Sequence, residues 1–160
     1  MFIFQDWSIN KGNTKGRIVA LCFRVANFAH NKGIILKILF IPYLIFYKIV
    51  FEWILGIELP YNTSIGSGLQ IYHLQAIVIN RMSVIGENFI LRHSTTIGNR
   101  GVDGKCPIIG NNVEVGAHVC ILGGIVIGDD VKIGAGSIVL KDLPSGSIAV
   151  GNPAKIINIP

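Results

Sequence analysis

Charge is scarce in this sequence: only 14% of its 160 residues are Asp, Glu, Lys or Arg, against 51% hydrophobic residues, which excludes a disordered chain. The three cysteines, Cys22, Cys106 and Cys120, are odd in number and lack CxxC spacing. They support neither a disulfide framework nor a zinc ribbon, and a reducing compartment fits them best. Met1 to Asp6 offers no basic region before an apolar stretch and no small-residue cleavage site, so the start does not read as a signal peptide and a cytoplasmic location is expected. Long apolar runs are missing too. The longest uncharged stretch of the most apolar segment, Ile38 to Tyr47, is far below the ~18–20 residues of a membrane span. Acidic residues are nearly absent from the first third. Residues 1–50 carry Lys11, Lys15, Arg17, Arg24, Lys32, Lys37 and Lys48 against Asp6 alone, so the net charge of +5 belongs to that segment. No nucleic-acid-binding motif accompanies these cations, so nucleic acid is not an expected partner. An anionic membrane surface, an anionic partner or plain solvation remain as readings.

What the sequence does have is glycine, 19 residues in all, and its distribution divides the chain. From Lys15 to about Leu55 glycine is rare and apolar residues dominate. Two helices are expected there, over about 15–30 and 34–55, with a turn at Asn31-Lys32-Gly33 and a kink or restart at Pro42. Lys37, Ile41, Lys48 and Glu52 fall near one another at helical spacing, which leaves a wide apolar face to pack on a neighbouring subunit or to lie in a membrane interface.

Beyond Leu55 a six-residue period takes over. Every sixth residue from Ile85 reads Ile85, Leu91, Ile97, Asp103, Ile109, Val115, Ile121, Ile127, Ile133 and Val139, nine of the ten aliphatic. Glycine follows directly at 86, 98, 110, 116, 128 and 134, and a second apolar column stands four residues on at Phe89, Val113, Val119, Ile125 and Val131. An earlier register holds Leu59, Ile65 and Ile71. Repetition of this kind decides the fold. Each hexad makes one short flat strand and one corner, three hexads close a triangular coil, and successive coils pair as parallel strands about 4.8 Å apart. The expectation is an all-β core, a left-handed parallel β-helix with a short α-helical N-terminal segment, divided as 1–57 helical, 58–145 β-helix and 146–160 tail. Such a prism exposes flat faces and open ends, which favours side-by-side association into a homotrimer with helices over one end.

Of the four histidines, two share a place in the repeat. His73 stands two residues after Ile71 and His93 two after Leu91, so their imidazoles are expected to stack on one face about one strand spacing apart. His30 reads as a C-terminal helix residue, and His118, at a coil corner, as a surface side chain.

The segments Gly56-Ile57-Glu58-Leu59-Pro60, Ile71-Tyr72-His73, Arg92-His93-Ser94-Thr95-Thr96-Ile97-Gly98-Asn99-Arg100-Gly101, Cys106-Pro107 and the ending Val139-Leu140-Lys141-Asp142 to Val150-Gly151-Asn152-Pro153-Ala154-Lys155 resemble the serine acetyltransferase family of hexapeptide-repeat enzymes, and within it the short colanic-acid-type polysaccharide acetyltransferases. The resemblance spans about residues 55–157. It implies an acetyl-CoA-dependent O-acetyltransferase in which His73 is the general base, assisted by Glu58 fifteen positions earlier, with His93 nearby. It also implies that acetyl-CoA lies along small residues, Gly116, Ala117, Gly134 and Ala135, with Lys155 near the CoA phosphates. Tyr72, Arg92 and Lys105 are the implied acceptor-binding residues. Two departures concern the acceptor. Tyr72 stands where serine acetyltransferases carry an Asp, and Cys106 where they carry a His, which points away from free serine and toward the hydroxyl of a sugar, free or lipid-linked. Cys106 itself is expected to be a semi-buried thiol rather than a nucleophile. No metal site is expected, although a metalloenzyme resembling γ-class carbonic anhydrases or a non-catalytic β-helical scaffold would use the same fold.

Overall fold

The structure is a computed structural model that describes residues 3–102 and 104–158; Asp103, the one non-aliphatic member of the main column, lies outside them. Fourteen short strands wind as five coils. These are β1 (Ile57–Glu58), β2 (Ser64–Ile65) and β3 (Gln70–Ile71), then β4 (Ile77–Ile79), β5 (Val84–Ile85) and β6 (Ile90–Leu91), then β7 (Thr96–Gly98), β8 (Ile108–Ile109) and β9 (Glu114–Val115). The fourth coil is β10 (Cys120–Leu122), β11 (Val126–Ile127) and β12 (Lys132–Ile133), and the fifth runs from β13 (Ile138–Val139) through a bridge at Leu143 to β14 (Ile148–Val150). Every third strand pairs in parallel. The first face is β1-β4-β7-β10-β13, the second β2-β5-β8-β11, and the third β3-β6-β9-β12-β14 with β15 (Lys155–Asn158) antiparallel on its edge. This is the left-handed parallel β-helix expected from the period of six.

The register explains the aliphatic columns. Ile79, Ile97, Ile121 and Val139 are in-register partners along the first face, so each layer of the prism presents the same position to the axis. Ile109, Val115, Ile121, Ile127 and Ile133 are all buried, as are the second-column residues Phe89, Val113, Val119 and Val131. The corner between the second and third faces turns through Asn88, Asn112 and Asp130, each in the left-handed region at φ 55°, 56° and 59°. Asn and Asp tolerate that region better than other side chains. They also bond along the column, Asn88 Nδ2 donating to Asn112 Oδ1 and Asn112 Nδ2 to Asp130 Oδ1, both at 2.9 Å.

The N-terminal segment closes the first coil. Helix α1 (Thr14–Asn31) starts at Asn13, whose Oδ1 accepts from the Gly16 N–H at 3.0 Å while its Nδ2 donates to the Ile71 carbonyl at 2.8 Å, so one side chain caps the helix and docks it on β3. Gly16 permits that approach, since a Cβ there would meet the Ile71 carbonyl oxygen at 2.7 Å. Arg24 and Asp6, both buried, form the second attachment. Arg24 Nε donates to Asp6 Oδ2 at 2.6 Å and its Nη1 to the Ile65 carbonyl at 2.8 Å, while Asp6 Oδ1 accepts from the Gly68 and Leu69 amides.

The single helix expected over 34–55 is divided into α2 (Ile34–Leu39), α3 (Ile41–Lys48) and a wider π-helical stretch, Ile49–Ile54. Pro42 has no N–H to give, and it sits in the first turn of α3, so the chain restarts there rather than bending through it. Leu44, Tyr47 and Phe51 turn inward, and the Tyr47 hydroxyl donates to the Leu59 carbonyl at 2.8 Å. The outward side of the same segment remains apolar and exposed. No helix among the described residues is long and apolar enough to cross a membrane.

Candidate active site

One edge of the prism, where the third face turns into the first, gathers most of the residues singled out from the sequence. After β3 this corner is two residues longer than in the later coils, and His73 occupies the insertion at φ 55°. A histidine accepts the left-handed region at a cost of about 1–3 kcal/mol, of the kind that clusters at functional sites. The rings of His73 and His93 meet edge to face with centroids 5.6 Å apart, close to the strand spacing on which the expectation rested. His73 is exposed and His93 half-buried. The Nδ1 atom of His93 is buried without a hydrogen-bond partner among the described residues.

His118, the surface side chain expected at a coil corner, adds a third ring to this edge. It is exposed, but its centroid lies 5.0 Å from that of His93, and its amide donates to the His93 carbonyl at 3.1 Å. It follows Val115 by three residues where His93 follows Leu91 by two. The offset hid it from a search at one hexad position, while a search by corner would have found it. No group of three metal-ligating side chains with the geometry of a metal site occurs among the described residues, the three imidazoles included.

The same edge continues upward into the small residues. Gly136 donates its amide to the Ala117 carbonyl at 2.8 Å, so Gly116-Ala117 and Gly134-Ala135-Gly136 form the next two corners above the histidines. Gly116 and Gly134 are required by packing between coils: a Cβ on Gly116 would come within 2.5 Å of the Ala135 nitrogen, and one on Gly134 within 2.7 Å of Val150 Cγ1. Ala135 and Gly136 are exposed, and a Cβ on Gly136 would meet nothing within 4 Å. The edge is therefore a smooth, open stripe. Lys155, at the start of β15, is exposed beside Val150 on the flank of that stripe.

Tyr72 and Arg92 stand at the foot of the histidine column but hold each other. The Arg92 guanidinium lies 5.9 Å from the Tyr72 ring centre, Arg92 Nη2 donates to Glu114 Oε1 at 2.9 Å, and the Tyr72 hydroxyl bonds Gln70. A cleft of about 900 Å³ opens beside His73, walled by Tyr72 and Leu74 on the prism and by Lys15, Ile18, Ile54 and Leu55 from the helices.

Glu58 and Lys105 are elsewhere. Glu58 points outward from β1 and lines a smaller cleft of about 360 Å³ on the first face, with Asn80, Thr96, Gly98 and Asn99. No hydrogen bond or ion pair joins it to His73 within the protomer. Lys105 and the half-buried Cys106 lie at the far corner of the first face, where Lys105 runs alongside Gly124. That face is a three-residue strand wide, ~10 Å. Within one protomer Glu58 and Lys105 therefore lie apart from the histidine edge.

The bacterial transferase hexapeptide model, of six repeats, matches residues 106–141. Escherichia coli WcaB, named as a colanic acid biosynthesis acetyltransferase, is 39% identical over 158 residues, covering 96% of this chain and 98% of its own. The chain belongs to the serine acetyltransferase family of hexapeptide-repeat acetyltransferases. Helicobacter pylori serine acetyltransferase is 42% identical over 139 residues, 86% of this chain and 78% of that protein. The Brucella abortus serine acetyltransferase solved in complex with coenzyme A superposes with a TM-score of 0.81 at 26% identity, covering 98% of this chain and 66% of that one. Relatives of both names flank the chain, so membership establishes an acetyltransferase and leaves the acceptor to be argued from the site.

Proposed function

We propose that this chain is an acetyl-CoA-dependent O-acetyltransferase that acetylates a sugar hydroxyl in polysaccharide biosynthesis, working as a homotrimer on the cytoplasmic side of the membrane. The observation that carries the proposal is the single edge on which an exposed imidazole, a second imidazole meeting it edge to face and an open stripe of small residues follow one another. An extended thioester substrate fits such a stripe, with its pantetheine arm along Gly116, Ala117, Gly134 and Ala135 and its phosphates toward Lys155. Its acetyl group then reaches the histidines. The B. abortus relative was solved in complex with coenzyme A, which supports a CoA thioester as the acyl donor.

In the proposed reaction His73 takes the proton of the acceptor hydroxyl as its oxygen attacks the acetyl carbonyl. The C–S bond then breaks, and the imidazolium returns the proton to the leaving thiolate, giving an ester and free CoA. Glu58 fixes the tautomer of His73 and stabilises the imidazolium. Because the two are apart within a protomer, the pair forms across a subunit boundary in a trimer, where the Glu58–Lys105 border of one prism faces the histidine edge of the next. His93 orients the acceptor, and Tyr72, Arg92 and Lys105 line its pocket.

The test is thiol release from acetyl-CoA with candidate sugars and, in parallel, with L-serine. General-base assistance is worth ~10²–10⁴ in rate, so His73→Ala should lower kcat by that factor and leave acetyl-CoA binding unchanged. Wild-type turnover in His73→Ala with the true acceptor would move the base to His93. Saturable acetylation of L-serine ahead of every sugar would replace the sugar reading with serine O-acetylation.

A further inference from the structure

The helical segment before the prism carries a large apolar surface that nothing in the protomer covers. Ile35, Ile38, Leu39, Ile45, Phe46 and Trp53 stand on the outward side of α2, α3 and the π-helical stretch, exposed at 81%, 58%, 70%, 54%, 55% and 80%. A water-facing helix normally turns polar residues outward, and here the outward side is mainly apolar although the inward side is already taken by Leu44, Tyr47 and Phe51. Lys32, Lys37 and Lys48 border the patch. Glu52, the one acid on this segment, is half-buried and 3.8 Å from Lys48, and Asp6 is locked against Arg24.

We infer that this face seats in the interface of an anionic bilayer and holds the His73 cleft against the membrane surface, so that the acceptor sugar is one displayed on a lipid. Two observations choose this occupant over a second copy of the chain. The first is charge: pairing two such faces would bring Lys32, Lys37 and Lys48 of one copy near those of the other, whereas an anionic surface neutralises them. The second is continuity: Ile54, exposed at 70%, and Leu55, exposed at 45%, end the apolar face and also form the wall of the cleft beside His73. A face pressed into the headgroup region would bring the cleft mouth to the height at which a lipid-linked sugar emerges. Trp53 and Phe46 suit that depth, where aromatic rings partition. The docking stands on the exposed face alone; the lipid-displayed acceptor rests on the acetyl-transfer reading above.

Vesicle flotation tests the docking without acetyl-CoA, so its result is separate from catalysis. Three lysines less Glu52 leave two net positive charges on this face, which at about 1 kcal/mol each should raise partition into phosphatidylglycerol-containing vesicles over pure phosphatidylcholine by roughly 30-fold at low salt, with the gain lost as salt rises. Ile38→Glu/Ile45→Glu should abolish flotation while light scattering shows an unchanged assembly, and His73→Ala should float like the wild type. Protein that stays in the soluble fraction with anionic vesicles, or a double variant that floats normally, overturns the inference. A double variant that dissociates also overturns it, by assigning the face to a subunit contact. For the acceptor, thiol release with alkyl glycosides embedded in phosphatidylglycerol vesicles should fall at least ~10-fold in Ile38→Glu/Ile45→Glu, with free sugars used equally by both proteins. Equal rates on embedded glycosides would remove the lipid-displayed acceptor.

Discussion

Mixing two inactive variants offers a quantitative test of the split site. His73 lies on the edge entering the first face, and Glu58 on that face beside its far border, with no bond between them in one protomer. If each site of a trimer takes His73 from one subunit and Glu58 from the next, a His73→Ala subunit still offers an intact Glu58, and a Glu58→Gln subunit an intact His73. Random assembly at equal amounts places an intact His73 beside an intact Glu58 with probability one half times one half. About one quarter of the sites are then whole, whatever the composition of individual trimers. Each parent should fall by ~10² or more, so the recovered rate, about 25% of wild type, stands well clear of both. The assay is thiol release from acetyl-CoA by protein co-expressed from two differently tagged genes and purified through both tags in turn, with the mixing ratio read by mass spectrometry. Purification through both tags discards the pure parental trimers and raises the expected fraction to about one third, since every mixed trimer has one whole site of three. A mixed population no more active than its parents would refute the argument, because it would place both groups of each site on one subunit.

Three further expectations follow. Arg24→Met should lower stability by about 3–5 kcal/mol, since it leaves the buried Asp6 carboxylate without its counter-charge, and urea unfolding measures it. Burial pushes the Tyr43 and Tyr47 hydroxyls above the ordinary value of 10.0, so they stay neutral in the folded chain while the unfolded chain ionises near pH 10; stability is therefore constant below that pH and declines above it, and ultraviolet titration should show two of the four tyrosines ionising late. Ala135→Trp, at an exposed position on the small-residue stripe, should raise KM for acetyl-CoA at least ~10-fold with Tm unchanged, whereas an unchanged KM would take the thioester off that stripe.

The prism was legible because its period is physical: one residue in six must point to the axis of a triangular coil, and Ile109, Val115, Ile121, Ile127 and Ile133 do. The histidine pair followed from the same counting. What counting could not supply was anything set by corner geometry or by a side-chain contact far along the chain. His118 was obscured by a one-residue offset at its corner, and the Asp6–Arg24 attachment by eighteen residues with no periodic relation. Pro42 marked a disturbance in the helical segment, but nothing in the periodicity announced the π-helical stretch after α3. The separation of Glu58 from His73 was hidden for another reason. Fifteen residues along a coil can end near or far from their start, depending on how irregular the first corner is.

The charges around His73 bear most directly on the acceptor. A free amino acid carries an ammonium and a carboxylate, and a site that selects it must offer a partner to each after desolvating both. The cleft beside His73 offers Lys15, the Gln75 amide, the Thr14 hydroxyl, and the apolar walls of Ile18, Ile54, Leu55 and Leu74, with no acid on its lining. Glu114, at the foot of the histidine column, is held by Arg92 at 2.9 Å, and in the proposed reaction Glu58 is engaged by the imidazole. An ammonium group would enter this cleft unpaired beside a lysine. A sugar avoids that cost, because its hydroxyls are neutral, its ring can rest on the Tyr72 side chain, and groups such as the Gln75 amide and the Thr14 hydroxyl bond hydroxyls as donors and acceptors alike. The lining that is poorly suited to a zwitterion therefore favours the proposed neutral polyol over free serine.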